Sequence, residues 1–586
     1  MREPDIEIRK KMLWIALLLF TWMIIIIWRL SWLQVVEHEH YLEKADRNQR
    51  KEIEVIPLRG SILDRNGKEL ALTVILDSLY VDLKLLAREE DRQKAARLLA
   101  PLLGIEEVDL RTKLSGDSSF VWLKRKLEPE TSWRVRRVIK ENRLHGLAVK
   151  QETQRSYPND SLAAHLLGYV SAEEKGLGGL EQTQDERLKG KPGEVALRTD
   201  ASGRPFERNE IPATNGPLLS LTIDTALQHK VEALLDEALK MSGAKGASAI
   251  VLDPNNGEIL ALANVPVFDP NERPTSSDVM LRHNRAISFP FEPGSIFKLV
   301  TYAAVFEEGM ANPSDLINCE NGQLKIGKRV IHDTHEYGML TVADAFAQSS
   351  NIAAIKLAQR IGKEKFIDYI TRFGFGFKTG IELPGESRGI VNPLHKWRID
   401  SIGSVAMGQE IAVTLLQAVT AMGTIANRGV WVRPHLVKSY HTVDGKILYQ
   451  VERESRRVVS EETALKMKDL LTQVVTSGTA RHAIHLNGYT AAGKTGTPQK
   501  IDEQTGRYSG GKYMPSFAGF VPASNPKFAI IVMIDEPKGN HFGAVVAAPV
   551  FNLIAEAALG DFVVPPDEAD FRKALAGVTK QMSVQQ

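Results

Sequence analysis

A serine and a lysine stand three residues apart in Glu292-Pro293-Gly294-Ser295-Ile296-Phe297-Lys298. A serine hydroxyl is a weak nucleophile until a neighbouring base takes its proton. Lysine can be that base where burial or nearby positive potential favours its neutral amine. The Pro-Gly pair is a breaker and the apolar residues 299–306 are helix-compatible, so Ser295 is expected to open a helix. On that helix positions i and i+3 share a face, which sets the Lys298 amine beside the Ser295 hydroxyl. The free N–H groups of a helix start carry partial positive charge and can hold an oxyanion. The chemistry implied is acyl transfer through a serine ester. The pair carries little weight alone, because a chain of 586 residues contains roughly two such spacings at average composition.

Two further stretches add weight. Ser349-Ser350-Asn351 precedes a helix-like segment at 352–361, and Lys494-Thr495-Gly496-Thr497 ends an expected strand. In this order, and with Ser350 where the pattern carries Asp, the three motifs are similar to the signature of penicillin-binding proteins and class A β-lactamases. Each residue has a physical task. Ser295 would attack a carbonyl and Lys298 would take its proton. Ser349 would relay that proton to the leaving amine, while Asn351 holds Lys298 and the substrate amide. Lys494 is expected to be a fixed positive charge for a substrate carboxylate, and Thr495 an added hydroxyl donor. Gly496 would let a substrate backbone run close beside the strand. The backbone N–H groups of Ser295 and Thr497 are the candidates for an oxyanion hole.

These residues need a scaffold. Strands are expected at 248–252, 259–265, 488–496, 516–521 and 528–535, with helical segments dominating 296–480 and a closing helix at 547–559. Strands first and last with helices between imply an α+β domain built on one antiparallel sheet flanked by helices. Upstream, residues 34–50 read as a helix leaving a membrane and 52–56 as a strand. Asn66-Gly67 is a hairpin signal for a type I′ turn, with positive φ at both positions. Residues 72–150 read as a small α/β insertion with helices at 89–103 and 130–142 and a strand at 120–123. A strand at 218–223 follows, and Asp224 is placed to cap a helix at 225–241. The expected division is a cytoplasmic N-terminus (1–11), a transmembrane helix (12–33), a pedestal domain (34–217), a catalytic domain (218–560) and a loose polar tail (561–586).

Composition narrows the class. A net charge of +2 argues against a nucleic-acid binder, and 43% hydrophobic residues is ordinary for folded protein. With Cys319 as the single cysteine no intrachain disulfide is possible. Residues 12–28 carry no charge, and Arg9, Lys10 and Lys11 precede them. No small-x-small cleavage site follows, so a single span with its N-terminus in the cytoplasm, and the remainder outside the cytoplasmic membrane, is expected. His332 with His335 and His482 with His485 have i,i+3 spacing but no cysteines or clustered carboxylates to complete a ligand set. They are expected to be solvated or core residues and His165 a core residue. No metal and no cofactor is expected.

Residues 247–556 resemble the transpeptidase domain of penicillin-binding proteins, through the three motifs and through Asn284-Arg285-Ala286, Phe291-Glu292-Pro293-Gly294-Ser295 and Phe517-Ala518-Gly519-Phe520. The Arg-Gly-x-Ile-x-Asp-Arg-Asn-Gly pattern at 59–67 and Gly179-Leu180-Glu181 resemble the non-catalytic pedestal of class B members. Leu83 departs from that pattern, standing where a proline is expected. The resemblance implies a serine β-lactamase-like transpeptidase domain behind a mixed α/β, dimerisation-like pedestal. It implies a monofunctional D,D-transpeptidase that cross-links peptidoglycan stem peptides through a serine acyl-enzyme, is acylated by penicillin and other β-lactams, and lacks the class A glycosyltransferase domain. Arg155-Ser156-Tyr157-Pro158 and Asp200-Ala201-Ser202-Gly203-Arg204 look closer to the septal, cell-division type than to the elongation type. Implied partners are a polytopic membrane glycosyltransferase and other division proteins, met through the transmembrane helix and pedestal. The competing readings are a D,D-carboxypeptidase or β-lactamase-like hydrolase, which needs a water-activating group that the sequence does not assign, and a non-catalytic penicillin-binding scaffold.

Overall fold

Two stretches near residue 250 are apolar or small along their whole length, a pattern suited to strands covered on both faces. In the computed structural model they are β1 (Gly246–Leu252) and β2 (Ile259–Val265), buried throughout. The chain returns to this sheet much later with β3 (Ala492–Gly496), β4 (Ser516–Val521) and β5 (Phe528–Asp535). The spatial order is β2-β1-β5-β4-β3, every pair antiparallel. Both ends of the domain thus build one sheet, as the element order implied.

Helices cover it. Those that frame the site are α1 (Thr225–Ser242), α2 (Lys298–Glu307), α3 (Asn351–Ile361), α4 (Leu415–Ala426), α5 (Glu461–Thr476) and α6 (Ala548–Asp561). Asp224 caps α1 as expected, accepting from the N–H groups of Ala226 and Leu227. Helices α1 and α6 pack on each other and on the sheet; α4 and α5 do the same, with α2 against α5 and α3. Every residue of α4 is buried, and a Thr414–Gln417 capping box closes its N-terminus.

The structure describes residues 4–41, 44, 50–116, 118, 120–199, 205–272, 279–326, 329–501 and 508–568, in two units. One comprises Met1–Leu58 and Lys189–Gly216. It holds an apolar helix, Pro4–Ser31, and a three-stranded antiparallel sheet ordered Arg50–Val55, Gly193–Thr199, Pro205–Ile211. Ile6–Val36 is long and apolar enough to cross a membrane. The other unit comprises Arg59–Leu188 and Pro217–Gln586. Besides the central sheet it contains a seven-stranded sheet in which Leu218–Leu221 lies between Ile62–Leu63 and Val437–His441, joining distant parts of the chain. The insertion has its expected helices, Glu89–Leu103 and Pro129–Glu141, and a strand, Val121–Leu127, longer than expected.

Three expectations need correction or fall away. Of Asn66 and Gly67 only the glycine takes a positive φ, +83°. The turn is therefore not type I′; the Asp64 carboxylate accepts from the N–H groups of Asn66 and Lys68 and shapes a wider loop instead. The strand expected at 488–496 begins only at Ala492, because Thr490 is tied by its N–H and hydroxyl to the Asp567 carboxylate. The stretch 200–204 and the tail beyond 568 lie outside the described residues.

Three separated motifs meet in a buried ion network. Glu181 accepts from Arg59 Nε at 2.6 Å and from Arg155 Nε at 2.6 Å, and Arg59 also pairs with Asp185 at 2.6 Å. Asp64 and Arg65 take no part in it: Asp64 accepts from the Thr225 hydroxyl, and Arg65 pairs with Glu258. Removing the carboxylate from between two buried guanidiniums takes from Arg155 its acidic partner and leaves Arg59 with Asp185 alone. Glu181→Ala should therefore cost roughly 3–5 kcal/mol in urea unfolding; a loss below about 1 kcal/mol, the level of an exposed pair, would contradict this account.

Candidate active site

Ser295 lies on a short 3₁₀ turn, Gly294–Phe297, that runs directly into α2 at Lys298. A regular α-helical start was expected. The tighter turn, with three residues per turn, keeps positions i and i+3, Ser295 and Lys298, on one side of the backbone. Gly294 makes the turn possible by adopting φ +53°, with its N–H bonded to the Gly408 carbonyl at 3.1 Å. From Lys298 to Phe306 every residue of α2 is buried, and Lys298 itself is 0% exposed.

The second and third motifs close on that lysine. Lys298 Nζ donates to the Ser349 carbonyl at 2.6 Å and to Asn351 Oδ1 at 2.8 Å, and lies 3.3 Å from Ser349 Oγ. Lys494 Nζ, carried by β3 and equally buried, donates to the same Ser349 Oγ at 2.9 Å. One serine hydroxyl thus stands between two buried amines. Ser349 has φ +61°, a conformation costly for a residue with a side chain and kept only where the surroundings enforce it. Immediately after it Ser350 caps α3, its hydroxyl accepting from the Ala353 N–H at 3.1 Å.

Residues 495–497 line the other side. Thr495 Oγ1 is 3.1 Å from Thr479 Oγ1, and Thr497 Oγ1 accepts from the Gly543 N–H at 3.1 Å. A Cβ on Gly496 would sit 2.6 Å from Ser516 Oγ and 3.1 Å from the Pro293 carbonyl. The glycine is required by the protein's own packing where β3 passes the Ser295 turn, a constraint additional to any substrate strand.

Burial dominates the electrostatics. It pushes the Lys298 amine down to about 7, against the opposing pull of the Asp333 carboxylate. It pushes Lys494 well below the usual lysine range, and the neighbouring Lys298 charge adds to that shift. Burial also raises Glu292, which accepts from the Glu410 N–H at 2.9 Å and the Tyr508 hydroxyl at 3.0 Å.

Ser295, Ser349, Asn351, Thr495 and Thr497 open onto one cavity of about 840 Å³. Its walls include residues that the motifs did not indicate. His332 and His335 are solvated as expected, and the solvent that they and His482 face is that of the cavity. Tyr513, His541 and Phe542 form a stacked ladder on its rim, with ring centroids 4.0 and 4.7 Å apart. Their signal was absent because Tyr513 ends a strand, Tyr508–Tyr513, well before the adjacent pair His541 and Phe542, with no motif spacing between them to read. His165 is a buried residue, as expected, its Nε2 2.9 Å from the Leu281 carbonyl.

Most of the chain matches known proteins. Residues 247–556 match the penicillin binding protein transpeptidase domain, and residues 54–221 the penicillin-binding protein dimerisation domain. The chain is 34% identical over 552 residues to the penicillin-binding protein PbpB of Mycobacterium tuberculosis, covering 89% of this chain and 80% of that protein. It is 30% identical over 550 residues to the peptidoglycan D,D-transpeptidase FtsI of Escherichia coli, covering 92% and 90%. The crystal structure of penicillin binding protein 3 from Mycobacterium tuberculosis complexed with aztreonam superposes with a TM-score of 0.68 at 30% identity, covering 88% of this chain and 98% of that one.

The two amines set a titration that can be observed directly. Lys298 should be ammonium at acid pH and amine above a midpoint near 7, whereas solvated lysines change near about 10.4. Nitrogen-15 NMR of labelled lysine side chains would follow it; a Lys298 midpoint above about 9 would mean that burial does not govern this amine.

Proposed function

The chain belongs to the class B penicillin-binding proteins, and on that premise we propose that it is a septal-type peptidoglycan D,D-transpeptidase with Ser295 as its nucleophile. The observation that carries the reading is the Ser349 hydroxyl held between Lys298 and Lys494, lining with Ser295 the same cavity. Neutral Lys298 takes the Ser295 proton as Oγ attacks the carbonyl of the donor stem's terminal peptide bond. The N–H groups of Ser295 and Thr497 receive the oxyanion. As the C–N bond breaks, the proton passes from Lys298 through Ser349 to the departing amine, leaving an ester on Ser295. The amine of a second stem attacks that ester, its proton returns along the same path to Ser295 Oγ, and a new amide is released. Asn351 holds Lys298 and the substrate amide throughout.

Substrate recognition follows from the same charges. Burial and Lys298 both oppose a proton on Lys494, and a substrate carboxylate placed by Thr495 and Thr497 would favour its ammonium form. A β-lactam offers a comparable carbonyl and carboxylate, and so acylates the same serine.

The apolar helix within Ile6–Val36 and the basic Arg9, Lys10 and Lys11 before it support a single span at 12–33 with residues 1–11 in the cytoplasm. The pedestal, 34–217, and the transpeptidase domain, 218–560, then lie outside, with 561–586 as a tail. The span and pedestal are the surfaces for a polytopic glycosyltransferase and other division proteins. Similarity to FtsI and the Arg155-Ser156-Tyr157-Pro158 stretch support the septal assignment.

Ser295→Ala should abolish covalent labelling by a fluorescent penicillin without lowering Tm; persistent labelling would remove Ser295 as the nucleophile. Lys494→Ala should slow acylation by about 10²–10⁴-fold while shifting Tm little. Normal acylation with a large loss of Tm would make Lys494 a structural residue.

A further inference from the structure

The strand Arg329–His332 ends beside the second motif, and the residue after it, Asp333, makes three bonds to the start of α3. Asp333 Oδ2 accepts from the Ser350 hydroxyl at 2.6 Å, and Oδ1 accepts from the N–H groups of Asn351 and Ile352, the latter at 3.2 Å. The preceding residue helps: the His332 carbonyl accepts from Asn351 Nδ2 at 2.9 Å. Asp333 is itself held, its N–H bonded to the Gly322 carbonyl at 3.0 Å. We propose that Asp333 is a positioning residue of the acylation centre, clamping the start of α3 so that Ser349 and Asn351 meet the Lys298 amine.

Two observations make the clamp more than a helix cap. Ser349 is held at φ +61° one residue before the clamped segment. A strained backbone persists only where its neighbours over-determine it, and charge-assisted bonds to a carboxylate are stronger than neutral ones. The signature motif also carries an aspartate at its middle position. Here that position is Ser350, which is 0% exposed, and the carboxylate comes from a different strand to bond its hydroxyl. The clamp also acts on charge. Lys298 is faced by Lys494 from β3 and by Asp333 from the strand end, with Tyr302 one turn on along α2 and Cys319 near Ser350. Of these, Asp333 is the carboxylate that favours the ammonium form of Lys298.

The inference rests on the assignment of Ser295 as nucleophile and Lys298 as its base. The test is the second-order rate constant for acylation by a fluorescent penicillin, measured against pH. Asp333→Asn keeps the side chain's shape and one carbonyl acceptor but removes the charge. We expect its plateau rate to fall at least tenfold and its acid limb to move to lower pH, with Tm lowered by no more than a few degrees. Ser350→Ala breaks one arm of the clamp without changing charge, so its plateau should fall while its acid limb stays in place. A merely structural aspartate would lower Tm without moving the limb. A plateau within twofold of the parent, or an unmoved limb in Asp333→Asn, would overturn the proposal. If Asp333→Asn fails to fold, a Ser350→Ala plateau within twofold would overturn it. Labelling that survives Ser295→Ala would instead overturn the underlying assignment, whatever Asp333→Asn does.

Discussion

Two lysine amines buried around one serine hydroxyl are the constraint on which the rest of the site depends. An ammonium taken out of water without partners is far too costly to keep, so it must be neutralised or fully hydrogen-bonded. Both remedies are present. Lys298 is pushed towards neutrality and is given the Ser349 carbonyl and Asn351 Oδ1 as acceptors. Supplying the carbonyl together with the hydroxyl of one residue requires the left-handed backbone at Ser349, which in turn requires a firmly anchored helix start. The second amine must approach from a strand, and Gly496 lets that strand run against the Ser295 turn without a collision. The central sheet, the 3₁₀ turn and the capped helix are thus parts of one arrangement that keeps two amines dry and close.

This arrangement bears on how charge is used. A solvated lysine would be a permanent cation whether or not substrate is bound. Lys494, buried beside Lys298, has a charge that depends on its surroundings. In the proposed cycle an arriving carboxylate supplies the missing partner, and the proton shared through Ser349 redistributes between the two amines. Binding and activation are then coupled through the same three side chains.

Much of the centre was legible in the sequence where chemistry lay within one element. Ser295 with Lys298, and Ser349 with Asn351, are neighbours along the chain, and β4 and β5 announce themselves as continuous apolar runs. Legibility failed where the partner came from elsewhere. Asp333 carries no local signal, because its role depends on a strand end meeting a helix start. The Arg59–Glu181–Arg155 network was visible as three motifs but not as one cluster. The Asn66-Gly67 turn followed a side-chain acceptor, Asp64, rather than its dipeptide preference. The 3₁₀ start of α2 could not be separated from an α-helical one, since both place i and i+3 together. The cavity histidines and the Tyr513–His541–Phe542 ladder are products of tertiary structure alone.

The central claim is that the acyl group carried by Ser295 passes to an amine rather than to water. The direct measurement mixes the protein with a D-alanyl-terminated stem-peptide donor and increasing concentrations of an amine acceptor, and follows both products by mass spectrometry. The account predicts an acylated tryptic peptide containing Ser295, and an aminolysed product that displaces the hydrolysed one as acceptor rises. A hydrolysed product whose share does not fall at any acceptor concentration would contradict it.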